Sequence, residues 1–216
     1  MTRRLLGLAV AASLAASCDV SQPPINCPVQ SLVWAASYQP KGPSECTPKG
    51  AETLGIQKFS TPEGTERLAI TPKTLTDERY EADESNLAYS LGNLARAADA
   101  EGFCAATDLS IAHKEIPAGG GAPPLSASYR WSNVRILSTA RAPGTQMVAD
   151  VEVTEDGCTA QYEVWAMWPG VPCGTEDHRP DDTVCATEGT INPDFATVCD
   201  PIGLLCVPAR RPPSLK

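Results

Sequence analysis

Hydrophobic and polar residues alternate in two runs within residues 145–168, on either side of Asp156 and Gly157. Alternation with a period of two is typical of a strand with one buried face. An Asp-Gly pair suits a two-residue type I′ turn, because both residues of that turn adopt a positive φ. The pattern therefore predicts a β-hairpin in which Glu155 faces Cys158. The residues on its core-facing side are Met147, Ala149, Val151, Val153, Ala160, Tyr162, Val164 and Ala166.

The same register defines the outer face of the hairpin. It places Asp150 opposite Glu163 and Val148 opposite Trp165. Cys158 falls on the core side, so we expect it to connect this sheet to a neighbouring element rather than to reach solvent.

Four more β-like runs occur at residues 31–38, 53–59, 66–73 and 128–137. Proline and glycine residues between them interrupt regular structure and favour turns. Together with the hairpin, these runs predict an antiparallel sheet of at least three strands.

Residues 76–100 follow a helical period instead. Gly92 weakens a helix at this place, whereas Ser85 suits its N-cap and Gly102 its end. We expect this helix to cover the sheet. The apolar residues spaced by four, three and four positions are Leu87, Leu91, Leu94 and Ala98, and this spacing defines one stripe of a helix.

Residues 169–216 contain many Pro, Gly and Asp residues, four cysteines and little periodicity. A short segment of this kind buries little apolar area and depends on covalent cross-links. The sequence thus predicts an α+β fold that is mainly β. It consists of an antiparallel sheet, one covering helix and a disulfide-rich, loop-rich C-terminal segment.

The N-terminus has the layout of an export signal. Arg3 and Arg4 precede an uncharged apolar run at residues 5–14. A transmembrane anchor is the alternative, but a helix needs about twenty residues to cross the hydrocarbon core. A cleaved signal peptide fits the shorter run.

The residues that follow resemble the lipobox of bacterial lipoproteins. Ala15, Ala16 and Ser17 are small and precede Cys18. The resemblance implies that Ser17 is the last residue removed and that Cys18 carries a diacylglyceryl thioether and an acylated amine. This chain departs from the family at Ala15, where a leucine is usual. Ordinary cleavage after small pairs, at Ala15 or Ser17, is the competing interpretation and would release a soluble protein.

The chain has nine cysteines, an odd number. If Cys18 carries lipid, eight remain and can close four disulfides. No pair has the C-x-x-C spacing that zinc sites commonly use, so disulfides are favoured over zinc. The C-terminal four are expected to pair mainly among themselves. The predicted disulfide cysteines are Cys27, Cys46, Cys104, Cys158, Cys173, Cys185, Cys199 and Cys206.

These features divide the chain into four parts. They are a signal peptide at 1–17, a lipidated cysteine and tether at 18–28, a β-rich domain with one helix at 29–168, and a Cys- and Pro-rich segment at 169–216. The polar tether would extend about 25 Å. We therefore expect the domain to lie close to its membrane.

The net charge limits the partners. Removal of the signal takes two of the 17 Lys and Arg residues and leaves 15 against 26 Asp and Glu, a formal net charge of −11. Such a surface repels nucleic acid and anionic headgroups, so membrane contact is expected through the lipid on Cys18. Asp19 resembles an inner-membrane retention signal of enteric bacteria, but the choice between inner and outer membrane stays open.

The sequence offers few candidates for catalysis. Histidines occur only at 113 and 178. His113 lies in a β-like run without a nucleophile motif, and the glycine-rich stretch at 118–122 lacks the Lys-Ser/Thr of a phosphate loop. His178 has several acidic neighbours that could offer oxygens to calcium, but their spacing is not that of a known calcium loop. These neighbours are Glu176, Asp177, Asp181 and Asp182. We therefore predict neither a metal site nor a cofactor.

Two functional classes remain. The first is a non-enzymatic envelope lipoprotein that recognises another envelope protein or a glycan, with Trp34, Trp131 and Trp165 as candidate aromatic contacts and at least two of them expected in the core. The second is a hydrolase that uses carboxylates such as Asp150 and Glu163, although a solvent-facing pair lacks the pocket that would raise one pKa. The cysteine pattern of 192–206 resembles segments of myxobacterial envelope lipoproteins, and this resemblance implies no activity. Of the two classes, we expect the non-enzymatic lipoprotein.

Overall fold

The computed structural model describes residues 26–76, 87–118 and 124–216. Within these ranges the chain forms eleven β-strands, a short 3₁₀ helix (Lys73–Thr76) and one α-helix, α1 (Asp182–Thr187). The strands are β1 (Leu32–Pro40), β2 (Glu52–Ser60), β3 (Glu66–Pro72), β4 (Ser90–Leu94), β5 (Phe103–Thr107), β6 (Ala112–Ile116), β7 (Leu125–Thr139), β8 (Ala142–Glu155), β9 (Cys158–Met167), β10 (Thr197–Cys199) and β11 (Cys206–Pro208).

Strands β1 to β9 form one antiparallel sheet that closes on itself. The strand order is β5-β4-β3-β2-β1-β9-β8-β7-β6, and β5 also pairs with β7. The 15-residue strand β7 pairs with β6 through its first half and with β5 through its second half, where Phe103 lies opposite Leu137. The closed sheet therefore leaves few backbone groups of its strands without a ladder partner.

The inner side of the closed sheet is filled by side chains. Alternate residues of every strand contribute to a single buried cluster, in which Trp34, Ile136 and Met147 have no exposed surface. The interior is thus a packed core and not an open channel.

Residues 169–216 cover part of the outer side. Cys173, Cys185 and Phe195 pack there against Val148 of β8 and Met167 of β9. Strand β1 is consequently buried on both faces. Its burial is continuous from position 34 to 38 and does not alternate, since residues of β11 cover its outer face.

Neighbouring strands run in opposite directions, so the loops that connect them gather at two opposite ends of the closed sheet. We call one the tether end: the described chain enters there, Asn26 bridges Ala97, and the N–H of Gln30 donates to the carbonyl of Gly144 at 3.0 Å. We call the other the mouth end. It holds the β8–β9 turn and the start of β2.

The structure confirms the fold class and the predicted hairpin. Glu155 faces Cys158, and Asp156 and Gly157 have φ of 48° and 83°. Every residue assigned to the core-facing side of this hairpin is buried. The four other predicted strands are also present, as β1, β2, β3 and β7.

The predicted helix over residues 76–100 is wrong where the structure describes it. Residues 90–94 form strand β4, paired with β3. Leu94 is buried, whereas Leu87 is 39% exposed, so the apolar stripe does not share one environment. Gly92 allows a close approach of β4 to the next segment, since a Cβ there would lie 2.5 Å from the carbonyl oxygen of Thr107. Ser85 lies outside the described residues, as does most of the glycine-rich stretch at 118–122.

The eight predicted disulfide cysteines lie in four pairs at bonding distance. Two pairs connect segments outside the sheet to its strands: Cys27, before β1, with Cys104 of β5, and Cys46, in the β1–β2 loop, with Cys158 of β9. The four C-terminal cysteines pair among themselves, with Cys173 next to Cys199 and Cys185 next to Cys206. Cys158 connects the hairpin to a loop, as expected, but the residue itself is exposed.

Asn26 and Cys27, which the sequence assigns to the tether, both contact the folded sheet. Asn26 already pairs with Ala97, and Cys27 has no exposed surface. Seven residues, 19–25, stand between Cys18 and the first described residue. No helix among the described residues is long and apolar enough to span a membrane.

Two glycines with positive φ provide a test of the packing at the tether end. A Cβ at Gly144 (φ 68°) would lie 2.1 Å from the Pro28 carbonyl oxygen, whereas a Cβ at Gly157 (φ 83°) would meet nothing within 4 Å. Both Ala substitutions bear the positive-φ cost of about 1 kcal/mol. Gly144→Ala should lower the free energy of unfolding by at least about 2 kcal/mol more than Gly157→Ala, because backbone must move. Urea unfolding followed by tryptophan fluorescence measures both; equal losses would contradict this packing.

Candidate functional site

A groove of about 870 Å³ opens on the outer wall of the closed sheet, beside the C-terminal segment. We call it the wall groove. Its lining comes from the β5–β6 junction, β7, β8, β9 and the chain end. Its charged residues are Lys41, Asp108, Arg130, Arg135, Asp150, Glu163 and Arg211.

Two irregularities of the sheet shape this groove. Strand β7 bulges between Ser132 and Arg135, and Asn133 at the bulge has φ of 50°. Strand β5 ends at Thr107, and the next residue, Asp108, has a φ of 55° in the connection to β6. A bulge bends its strand and redirects side chains. The bulge therefore points polar groups of β7 into the groove.

Asp150 is held by two donors inside the groove. Asn133 Nδ2 donates to Asp150 Oδ2 at 2.7 Å, and Lys41 Nζ lies 2.9 Å from Oδ1. Burial acts to raise the pKa of the Asp150 carboxyl, but the hydrogen bonds from Asn133 and Lys41 outweigh it. The pKa therefore lies below its ordinary value.

Glu163 has the same kind of environment. Arg211 Nε donates to Glu163 Oε1 at 2.7 Å, and Trp165 Nε1 donates to Oε2 at 2.7 Å. Burial acts to raise the pKa of this carboxyl, and the two hydrogen bonds lower it more. Asp150 and Glu163 are thus ionised at neutral pH, so neither of these two groups holds a proton that a general acid would need.

The structure corrects one premise of the sequence analysis. Asp150 and Glu163 do not lie on an open face, since they share the wall groove. The other groove cations also have acidic neighbours: Arg135 contacts Asp99 at 2.6 Å. The groove is therefore lined by paired charges of both signs.

The three candidate tryptophans separate into two environments. Trp34 and Trp131 are buried in the interior core, at 0% and 4% exposure. Trp165 lies on the outer face and is partly buried against the C-terminal segment. The expectation that at least two tryptophans are core residues is confirmed. Trp131 also lines the wall groove from below, and Trp165 lies at its edge, where it donates to Glu163.

The acidic neighbours of His178 do not come together. Asp177 pairs with Arg179, Asp181 caps helix α1 through the N–H of Thr183, and Asp182 accepts from the N–H of Cys199. Hydrogen bonds from the hydroxyl and N–H of Thr183 lower the pKa of Asp181. These acids therefore serve the local structure.

In the part of the chain that the structure describes, one cluster has the geometry of metal ligands. It consists of Cys173, Cys185 and Cys199, whose sulfur atoms lie within 4.8 Å of one another. Each of them is within bonding distance of a second cysteine. A sulfur in a disulfide is not the thiolate that binds zinc.

A polar network closes the mouth end, and no sequence pattern indicated it. Glu52 accepts from Tyr38 Oη at 2.5 Å, from Tyr129 Oη at 3.0 Å and from Thr74 Oγ1 at 2.9 Å. Burial and the Glu52 charge raise the pKa of both tyrosines. The phenols are therefore neutral donors that hold the Glu52 carboxylate in place.

Lys49 completes this mouth network. Its Nζ lies 2.7 Å from Glu155 Oε1 and 3.5 Å from Glu52 Oε1, and 5.2 Å from the ring centres of Tyr38 and Tyr129. The residues come from separate strands and loops, so only the folded sheet brings them together. A cavity of about 300 Å³ lined by Lys49, Glu155 and Tyr162 opens beside the network.

Comparison with known proteins identifies the family. A model of the MlpA family matches residues 32–169. The chain is also 36% identical, over 238 residues of alignment that cover 100% of both chains, to “Putative lipoprotein MlpA” of Myxococcus xanthus. The chain belongs to the MlpA family. No solved structure matches it.

Membership of the MlpA family agrees with the resemblance to a myxobacterial lipoprotein that the N-terminus and the cysteine-rich segment indicated. The family model covers most of the closed sheet and stops at the start of the C-terminal segment. The predicted lipidation residue Cys18 and the predicted cleavage residue Ser17 lie outside the described residues. His113 lies on β6 and is partly buried.

The lowered pKa values of Asp150 and Glu163 predict a pH dependence. A carboxyl with a depressed folded-state pKa contributes stability above its unfolded pKa, and this stability is lost as the pH falls through the folded value. The wild type should therefore lose more stability below about pH 4.5 than Asp150→Asn/Glu163→Gln, by about 1 kcal/mol. Urea unfolding between pH 7 and pH 3 measures the difference.

Asp177→Asn is the matched control for this experiment. The Asp177–Arg179 pair is 2.8 Å apart with side chains over 70% exposed, so its loss should leave the pH profile unchanged. The opposite result would be a double variant whose stability, compared with the wild type at the same pH, is higher at pH 7 than at pH 4. It would mean that one of the two carboxyls has a raised pKa. That result would favour the hydrolase class.

Proposed function

We propose that this chain is a membrane-anchored envelope lipoprotein and that it works as a non-enzymatic binding module. The observation that carries the proposal is the full-length similarity to a protein named as a lipoprotein in Myxococcus xanthus. The lipobox-like residues Ala15 to Cys18 lie where such a protein needs them.

The anchor in this proposal is the lipid on Cys18, exposed by cleavage after Ser17. One acyl chain gives only marginal membrane binding, whereas the two or three chains of a lipoprotein hold it stably. Seven residues, 19–25, separate Cys18 from the first described residue. The domain is then held within about 25 Å of the bilayer.

Four disulfides stabilise the domain in this proposal. Once Cys18 is acylated, every other cysteine has a partner at bonding distance. Disulfides persist outside the cytoplasm, which agrees with export. Each one is expected to contribute about 2 to 4 kcal/mol.

The wall groove is the proposed recognition surface, for an envelope protein or a glycan. Its Asp150 and Glu163 carboxylates are ionised and paired, so they offer hydrogen-bond acceptors at fixed positions, and neither is a proton donor for hydrolysis. Paired charges of both signs are suited to a polar partner, and Trp165 adds apolar surface beside them.

The intact mass of the natively expressed protein tests the anchor. After treatment with a thiol-alkylating reagent without reduction, we expect a chain that begins at Cys18, carries added acyl mass and takes up no alkyl group. Reduction before alkylation should add eight alkyl groups, one for each cysteine paired in the structure.

Cys18→Ala is the control for the anchor. This variant should leave the membrane fraction, because the domain has no other anchor in this proposal. A wild-type chain that starts elsewhere without lipid, or one with an alkylated thiol before reduction, would refute the lipid on Cys18.

Site-specific photo-crosslinking tests the binding role. A photo-reactive residue in place of Ser132, which is exposed at the bulge of β7, should give a discrete adduct in intact envelopes. The same residue in place of Ala186, exposed on helix α1, should give none. Equal adducts at both positions, or none at either, would count against the wall groove as the recognition surface.

A further inference from the structure

The tether end carries the exposed apolar side chains that lie nearest to the proposed anchor. Leu32 and Val33 at the start of β1 are 64% and 49% exposed, and Phe59 near the end of β2 is 46% exposed. Leu32 lies opposite Ile56 in the β1–β2 ladder, so Phe59, three residues further along β2, lies towards the same end. Scattered apolar residues are normal on a surface, but these three share one end with the chain entry.

An apolar cleft continues from this end along the wall. It has a volume of about 440 Å³ and is lined by Phe59, Ala69, Tyr89 and Leu91 among others. Tyr89 is 42% exposed. The outer surface of β2, β3 and β4 along this cleft, which runs from the tether end towards the mouth end, is therefore less polar than the wall groove.

The basic residues at this end are already bonded. Lys58 Nζ donates to the carbonyl of Cys27 at 3.0 Å and lies 3.1 Å from Glu66 Oε2, and Arg67 Nε donates to the carbonyl of Gly92 at 2.9 Å. Arg96 donates to the carbonyl of Gly64. Attraction to anionic lipid is thus weak here, and the surface fits an uncharged or zwitterionic headgroup layer.

The opposite end has a different character. The mouth network places Lys49, Glu52 and Glu155 there, and the described chain enters at the other end. Leu32, Val33 and Phe59 therefore lie at the end where the described chain enters, and the seven residues 19–25 limit how far this end can move from an acylated Cys18.

We propose that the tether end rests on the bilayer, with Leu32, Val33 and Phe59 in the interfacial layer of zwitterionic lipid and the mouth end directed away from the membrane. The inference rests on the lipid anchor proposed above. The lipid brings the domain to the surface, and the three side chains give it one orientation there. Each loses water-exposed apolar area on contact, which favours the oriented state.

Two fluorescent labels report this orientation. Glu63→Cys places a label on the exposed β2–β3 turn at the tether end, and Ile202→Cys places one at the mouth end, where Ile202 lies against Gly50. The lipidated full chain is reconstituted in phosphatidylcholine and phosphatidylethanolamine vesicles that contain a headgroup-linked quencher. We expect quenching at residue 63 to exceed that at residue 202 at least about twofold.

Flotation of the vesicles separates the two proposals. Protein that floats with equal quenching at both labels, or stronger quenching at residue 202, overturns the orientation and leaves the anchor standing. Protein that does not float contradicts the anchor and, with it, the orientation that rests on it.

Substitution of the apolar side chains tests their part in the contact. The double variant Leu32→Asn/Phe59→Thr removes two of the apolar side chains. Asn tolerates the φ of 85° at position 32, and Thr favours the strand conformation at position 59, so the fold should be retained. The quenching ratio should fall towards one in this double variant. Ile202→Thr, which removes an apolar side chain that is 61% exposed at the mouth end, should leave the quenching of the label at residue 63 unchanged. An unchanged ratio in the double variant would overturn the apolar contact.

Discussion

The pairing of β5 with β7 is the constraint on which the rest of the structure depends. It joins Phe103 to Leu137 and converts a nine-stranded sheet into a closed one with an enclosed core. Without it, the inner faces of β4 and β7 would border water. The disulfide-distance pair Cys27 and Cys104 lies at the same place, because Cys104 faces Ile136 in this ladder. The covalent link and the hydrogen-bonded ladder therefore hold the same closure, at the end where the chain enters the fold.

The C-terminal segment forms a second layer over one side of the closed sheet, where the outer surface of the strands is apolar. It covers β1, β8 and β9, where Ala35, Val148 and Met167 face outwards and would otherwise expose apolar surface. The segment has little regular structure of its own, so its two cysteine pairs replace the ladders that hold the sheet together. By ending against the groove, where Arg211 binds Glu163, the segment also forms part of the candidate site.

Local patterns predicted the parts of the fold that local contacts determine. The β8–β9 register follows from Asp156 and Gly157, which set the turn and hence every facing pair. The spacing of Leu87, Leu91 and Leu94 led to a wrong prediction of a helix, because spacings of three and four residues fit a helical stripe. The segment instead forms strand β4, whose backbone pairs with β3. The closure and the mouth network could not be predicted at all: Tyr38, Glu52 and Tyr129 meet only because distant strands close around one core.

The proposed lipid anchor would change what the wall groove has to achieve as a recognition surface. An anchor on Cys18 would hold the domain within about 25 Å of the bilayer, and this confinement would raise the effective concentration of any partner in the same layer. A site under this condition needs selectivity more than high affinity. Paired charges provide it, because Lys41 with Asp150 and Arg211 with Glu163 are fixed before a partner arrives. A partner that does not match their positions would bury these charged groups without giving them hydrogen bonds. The free-energy cost of removing them from water would then disfavour its binding.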